Sequence, residues 1–110
     1  MPEMRYRLKG GLKREELEAA LDEIWGELQS DVAARQEAAE GGVDVATIVG
    51  VPRLEAITVQ KVSAGFGPEI VIIAFLPLVA RVVGDIWAKF ILPRLEQRYG
   101  LDALEEKKDS

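Results

Sequence analysis

Gly67 to Leu92 reads GPEIVIIAFLPLVARVVGDIWAKFIL, and whether it is helix, strand or membrane span sets the architecture of everything around it. As a helix, Gly67 is a weak N-cap, Pro68 fits the first turn, where a missing N–H costs nothing, and Glu69 complements the dipole. No charge appears from Ile70 to Ala80; Arg81, Asp85 and Lys89 then follow four residues apart with alternating sign, each able to pair with the next. Stepping back four from Arg81 gives Pro77. On that polar stripe water can satisfy the carbonyl that an interior proline frees. This phase favours one helix kinked at Pro77. The competing reading takes Glu69 to Phe75 as a buried strand of Ile, Val and Phe, with a helix starting at Pro77.

A membrane span fits poorly. The eleven uncharged residues from Ile70 to Ala80 reach only about 16 Å as a helix, against roughly 30 Å of hydrocarbon. Extension to Leu92 supplies length but places Arg81 and Asp85 near the middle, at about 2.5–3.5 kcal/mol each on insertion scales. A helix buried in protein is the expectation, and insertion of residues 70–92 into a bilayer is the alternative.

Composition narrows the chemistry. The 110 residues are 48% apolar and 30% charged, with a net charge of −5 and neither cysteine nor histidine. One ordered domain is expected, large enough for a core without staples. Missing cysteine removes disulfides and thiol chemistry; missing histidine removes the commonest general base and metal ligand. No nucleic-acid partner is expected from an acidic chain without a long basic run. The opening MPEMRYRLKGG has no apolar segment behind its charges, so no secretory signal is expected and the cytoplasm is the expected location.

Around the apolar stretch the remaining elements fall into place. Met4 to Lys9 alternates, with Tyr6 and Leu8 on one face and Arg5, Arg7 and Lys9 on the other, as a half-buried strand does. Its basic side chains read as a solvated face or a protected edge. Lys13 to Glu40 reads as one long helix with a core stripe of Leu17, Leu21, Ile24, Leu28 and Val32, widened by Ala20 and Trp25, and stopped at Gly41-Gly42. Glu23 and Glu27 stand one turn apart, but without a histidine or a third acid they read as solvation rather than a cation site. Val43 to Gly50 suggests a strand, with a short helical turn as the alternative. Leu54 to Ser63 suggests another strand, paired with the first. The Gly65-Phe66-Gly67 loop presents N–H groups to an anion only weakly, because Glu69 would repel phosphate. Pro93 kinks or restarts the last helix, and Gly100 ends it. Residues 1–100 then form the domain and 101–110 a flexible charged tail.

The expected fold is α+β: a mostly antiparallel sheet of two or three strands, a long amphipathic N-terminal helix and an apolar, proline-kinked C-terminal helix. No catalytic, cofactor-binding or metal-binding residue is expected, since Ser30, Ser63 and Ser110 have no histidine to activate them. Ala80, Gly84 and Ala88 form a small-residue groove beside Arg81, Asp85 and Lys89, where a second helix can approach closely. Trp87 completes this expected interaction face. The expected function is therefore non-enzymatic: protein–protein interaction or homo-oligomerisation through the C-terminal helix. The intramolecular alternative fills the groove with the chain's own first helix.

Overall fold

A computed structural model describes residues 3–9, 11–62, 69–77 and 79–107. Its strands are β1 (Glu3–Leu8), β2 (Ile57–Lys61), β3 (Ile70–Phe75) and β4 (Leu104–Lys107). They form one sheet in the order β2-β3-β1-β4, antiparallel throughout. Helices α1 (Arg14–Ser30) and α2 (Val32–Glu40) separate β1 from β2. Between β3 and β4 runs a third helix, residues 80–99, composed of α3 (Ala80–Ile86), a π-helical turn (Trp87–Ile91) and α4 (Leu92–Tyr99). The class is α+β, and the strand and helix order is that of the split βαβ topology.

The apolar stretch is strand and then helix, which overturns the single kinked helix. Val71, Ile73 and Phe75 point to the core while Ile70, Ile72 and Ala74 are only half-buried. That is a period of two, and the helical phase seen from Arg81 cannot be carried back through Pro77. The proposed Gly67 cap, Pro68 first turn and glycine-rich anion loop lie outside the described residues. Glu69 does complement a helix dipole, but that of α1. Its carboxylate accepts the backbone N–H of Arg14 at 2.8 Å, at a helix start where Lys13 provides no side-chain cap. Lys61 adds an ion pair at 3.4 Å.

Further expectations are corrected by tertiary pairing. β2 lies beside β3 rather than beside β1, and β1 is internal rather than an edge. Leu104 and Glu105 belong to β4 instead of a tail, with Leu104 opposite Leu8 and Glu105 opposite Arg7; residues 108–110 lie outside the described residues. The 13–40 helix breaks at Asp31, whose side chain accepts from the N–H of Ala33 and so caps α2. Val32 consequently leaves the core stripe and is 67% exposed. Val45–Ile48 is a 3₁₀ turn, not a strand, and a second one covers Arg53–Glu55. Pro93 sits in the first turn of α4, where the α-helix restarts after the π turn. The π turn before it widens the helix, with the Leu92 N–H bonding back to the Trp87 carbonyl, and this accommodates a proline ring that would clash with the preceding turn.

The core lies between the sheet's inner face and the helices. Tyr6, Leu8, Val71, Ile73 and Phe75 meet Leu17, Leu21 and Ile24 of α1 and Val83, Ile86 and Trp87 of the third helix. The polar groups of Trp87, Tyr6 and Arg53 inside it are paired, whereas the buried Arg14 Nε has no hydrogen-bond partner among the described residues. The Trp87 indole donates to the Tyr6 hydroxyl at 2.9 Å, and that hydroxyl lies 3.4 Å from the Met4 sulfur. Burial raises the Tyr6 pKa above its ordinary value, so the phenol stays protonated at neutral pH. Arg53 is the buried charged residue; its guanidinium reaches Asp22 at 2.8 Å, Glu18 at 3.7 Å and the Ile57 carbonyl at 3.3 Å.

The cap at α1 is testable by pH. The Arg14 hydrogen bond, more than the nearby Lys61, holds the Glu69 pKa below its ordinary 4.5. A depressed folded-state pKa gives stability that is present above the unfolded value and lost as pH falls through the folded one. Glu69→Ala should cost about 1 kcal/mol near neutral pH, as a lost N-cap does. Chemical denaturation should show that gap to wild type shrinking below pH 4.5. A gap of the same size at both ends of that range would mean the charge plays no part in the cap.

Candidate functional site

The sequence pointed to the C-terminal helix, and the structure divides the residues named there. Arg81, Asp85, Ala88 and Lys89 are exposed, whereas Ala80 and Gly84 are half-buried. Trp87 is 1% exposed and is a core residue, not part of an interaction face. Its ring stands 5.6 Å from Tyr6 and 6.4 Å from Phe75, centroid to centroid. A Cβ on Gly84 would lie 3.8 Å from the Phe75 ring. Gly84 therefore faces Phe75 of β3 in the same chain, while Ala88 is exposed. Arg81, Asp85 and Lys89 form no ion-pair ladder among the described residues. The Lys89 ammonium instead lies 3.6 Å from where a Cβ on Gly42 would stand, at the C-terminal end of α2, where a cation is favourable.

Four acids of α1, Glu18, Asp22, Glu23 and Glu27, are engaged by arginines of other elements. Glu23 holds Arg98 at 2.6 Å, and Glu27 holds Arg94 at 3.7 Å. Arg94 also meets Glu37 at 2.7 Å and stacks 3.6 Å over the Phe90 ring. Hydrogen bonding to Glu23 raises the Arg98 pKa, so this guanidinium carries its charge throughout the ordinary pH range. Among the described residues no three acids, cysteines or histidines converge as a metal site.

Two surfaces that sequence reasoning missed stand out. One is a groove of about 460 Å³ at the end of the sheet, lined by Val51, Glu55, Leu76, Pro77 and Val79. Among the described residues Glu55 is the single charged group in that lining, which leaves few directional contacts to orient a small molecule. The other is the outer face of the sheet. Ile70, Ile72 and Ala74 run down β3, opposite Arg7, Arg5 and Glu3 of β1. On the other side, Gln60 and Thr58 of β2 stand opposite Ile72 and Ala74. Among the described residues no core side chain packs on this row. Its signal was present in the sequence: a β-branched run whose outward positions, once it is a strand, are as apolar as its inward ones.

Beyond the cations Arg5, Arg7 and Lys9, the outer face carries Glu105, which pairs with Lys9 at 2.6 Å and with Arg7 at 3.5 Å. Arg5 is exposed and makes no ion pair among the described residues, and Lys107 stands opposite it in register. No protein-family model, curated protein or solved structure matches this chain. No helix among the described residues is long and apolar enough to cross a membrane.

Gly84 separates the two readings of its groove. A single Cβ fits at ordinary van der Waals distance from Phe75, so Gly84→Ala should gain about 0.8–1.0 kcal/mol of helix propensity. Gly84→Ile should lose about 1–3 kcal/mol by overpacking Phe75. Thermal melts should rise for alanine and fall for isoleucine, with sedimentation mass unchanged in both. A fall in mass for isoleucine with an unchanged melting temperature would return the groove to a second chain.

Proposed function

We propose that this chain is a non-enzymatic protein-interaction module of the cytoplasm, docking partners on the outer face of its sheet. The observation that carries this reading is the Ile70–Ile72–Ala74 row on a central strand, with no helix of the described chain laid over it. A sheet solvated on one face ordinarily alternates apolar-in and polar-out. β1 and β2 obey that rule and β3 does not. The apolar side chains of the C-terminal helix support this face over the helix itself, because Val83, Ile86, Trp87, Phe90 and Ile91 are spent in the core. They also disfavour bilayer insertion of residues 70–92, which would expose the same groups by dismantling the domain. A non-catalytic role is supported by the ion pairs that occupy Glu18, Asp22, Glu23 and Glu27 of α1 and by the absence of histidine and cysteine from the sequence.

Comparison of proteins retained from a cell extract by immobilised variants tests the reading. Ile72→Lys should lose partners that the wild type retains, while Lys89→Glu keeps them, and both should melt within a few degrees of wild type. A retained partner should then bind the purified wild-type chain in isolation. Identical retention by wild type and Ile72→Lys, or loss only with Lys89→Glu, would move the function off the sheet.

A further inference from the structure

We infer that the partner lays an amphipathic α-helix along β3, with carboxylates bordering its apolar stripe on the β1 side. This deepens the docking reading and rests on it. Geometry supplies the helix. β1 and β2 run about 4.8 Å to either side of β3, so an α-helix, about 10 Å across, laid along β3 borders the outward side chains of both. From Ile70 to Ala74 the row runs about 14 Å, which matches between two and three helical turns. Three apolar side chains spaced i, i+3 or i+4, and i+7 cover that length, the usual helix-in-groove arrangement.

Charge supplies the chemistry of the flanks. On one side Arg7 and Arg5 of β1 stand beside Ile70 and Ile72, with Glu3 at the Ala74 end, Lys9 beyond Ile70, and Glu105 shared between Arg7 and Lys9. Arg5 stands beside Ile72, at the middle of the row, and makes no ion pair among the described residues. An incoming carboxylate supplies it with a partner. On the other side Thr58 and Gln60 are uncharged. One basic and one neutral flank accept a helix that is acidic along one border only, which also fixes its direction.

The other occupants fit less well. Nucleic acid needs stacking platforms, and the outward residues of these strands include no aromatic ring. A second copy offers acids on α1, but the large apolar residues of that helix, Leu17, Leu21, Ile24, Trp25 and Leu28, are all buried. It therefore cannot supply the stripe.

The test uses the full chain and labelled synthetic helical peptides sharing one leucine stripe, bordered on one side by Glu, by Gln or by Lys. Anisotropy titrations at low salt should rank Glu above Gln by roughly tenfold and Gln above Lys, as expected from two or three rim charge pairs. Arg5→Glu should reverse the order in favour of Lys, and Ile72→Lys should weaken all three. Glu and Gln peptides binding within about twofold, with the Ile72→Lys loss intact, would overturn the acidic border while leaving the docking face standing. Binding unaffected by Ile72→Lys would overturn both. No binding of any peptide at about millimolar concentration would overturn the helical partner alone. Tighter Arg5-dependent binding to phosphatidylserine vesicles or to a single-stranded oligonucleotide would transfer the face to phosphates. Concentration-dependent sedimentation mass that Ile72→Lys abolishes would assign it to a second copy.

Discussion

Strand β3 is the member on which the other elements depend, because it joins β1 to β2 and carries the floor of the third helix. β1 and β2 are far apart in sequence and meet only through it. Its inward residues Val71, Ile73 and Phe75 are the floor on which the third helix rests, with Gly84 and Trp87 against Phe75. Each such side chain, buried, contributes about 1.5–3 kcal/mol. Against a net stability of only about 5–15 kcal/mol for a domain, three of them in one strand are decisive. The residue that precedes the strand, Glu69, reaches across to start α1. Sheet, first helix and last helix are therefore joined at a single segment.

Electrostatics follow a common pattern in which helix ends and acidic faces are served from distant parts of the chain. α1 contains six acids and one base, so it alone carries a charge equal to the net −5 of the whole protein. Arg53, Arg94 and Arg98 come from other elements to meet those acids. Exposed pairs of this kind are individually worth less than about 1 kcal/mol, but they settle where the cations go. The arginines of α4 are consumed within the molecule. On the sheet's outer face Arg7 and Lys9 share Glu105, and Arg5 makes no ion pair among the described residues, which leaves that face with cationic capacity to spare.

What the sequence revealed, and what it hid, divides along local and non-local physics. The alternation of β1 and the Leu17–Leu28 stripe of α1 were legible because each is a local pattern facing a core. β3 was not, since an unbroken apolar run fits a strand and a buried helix equally, and the Arg81–Asp85–Lys89 spacing lent the helix a false phase. The dipole argument for Glu69 was sound and attached to the wrong helix, because a cap from across the sheet leaves no mark in neighbouring residues. β4 was hidden for a similar reason. Leu104-Glu105-Glu106-Lys107 has one apolar residue, and it becomes a strand only because Leu8 and Arg7 lie beside it. For the candidate site, the exposed charges of the third helix were found, whereas Trp87 was misassigned. An aromatic on a half-apolar helix looks alike from sequence whether it faces the core or a partner.

The outward row of β3 is the feature that folding alone does not require. The core is complete on the inner face, and a polar residue at position 72 would leave every inward contact in place. Strand propensity explains a β-branched residue there, but Thr58 shows that a polar β-branched side chain serves on the same face, and Arg5 that a charged one does. An apolar outward row also carries a cost, since half-exposed isoleucines on an open sheet invite non-specific association. The inner side of the strand answers to the core, and its outer side, unneeded by that core, answers to whatever surface comes to rest against Ile70 and Ile72.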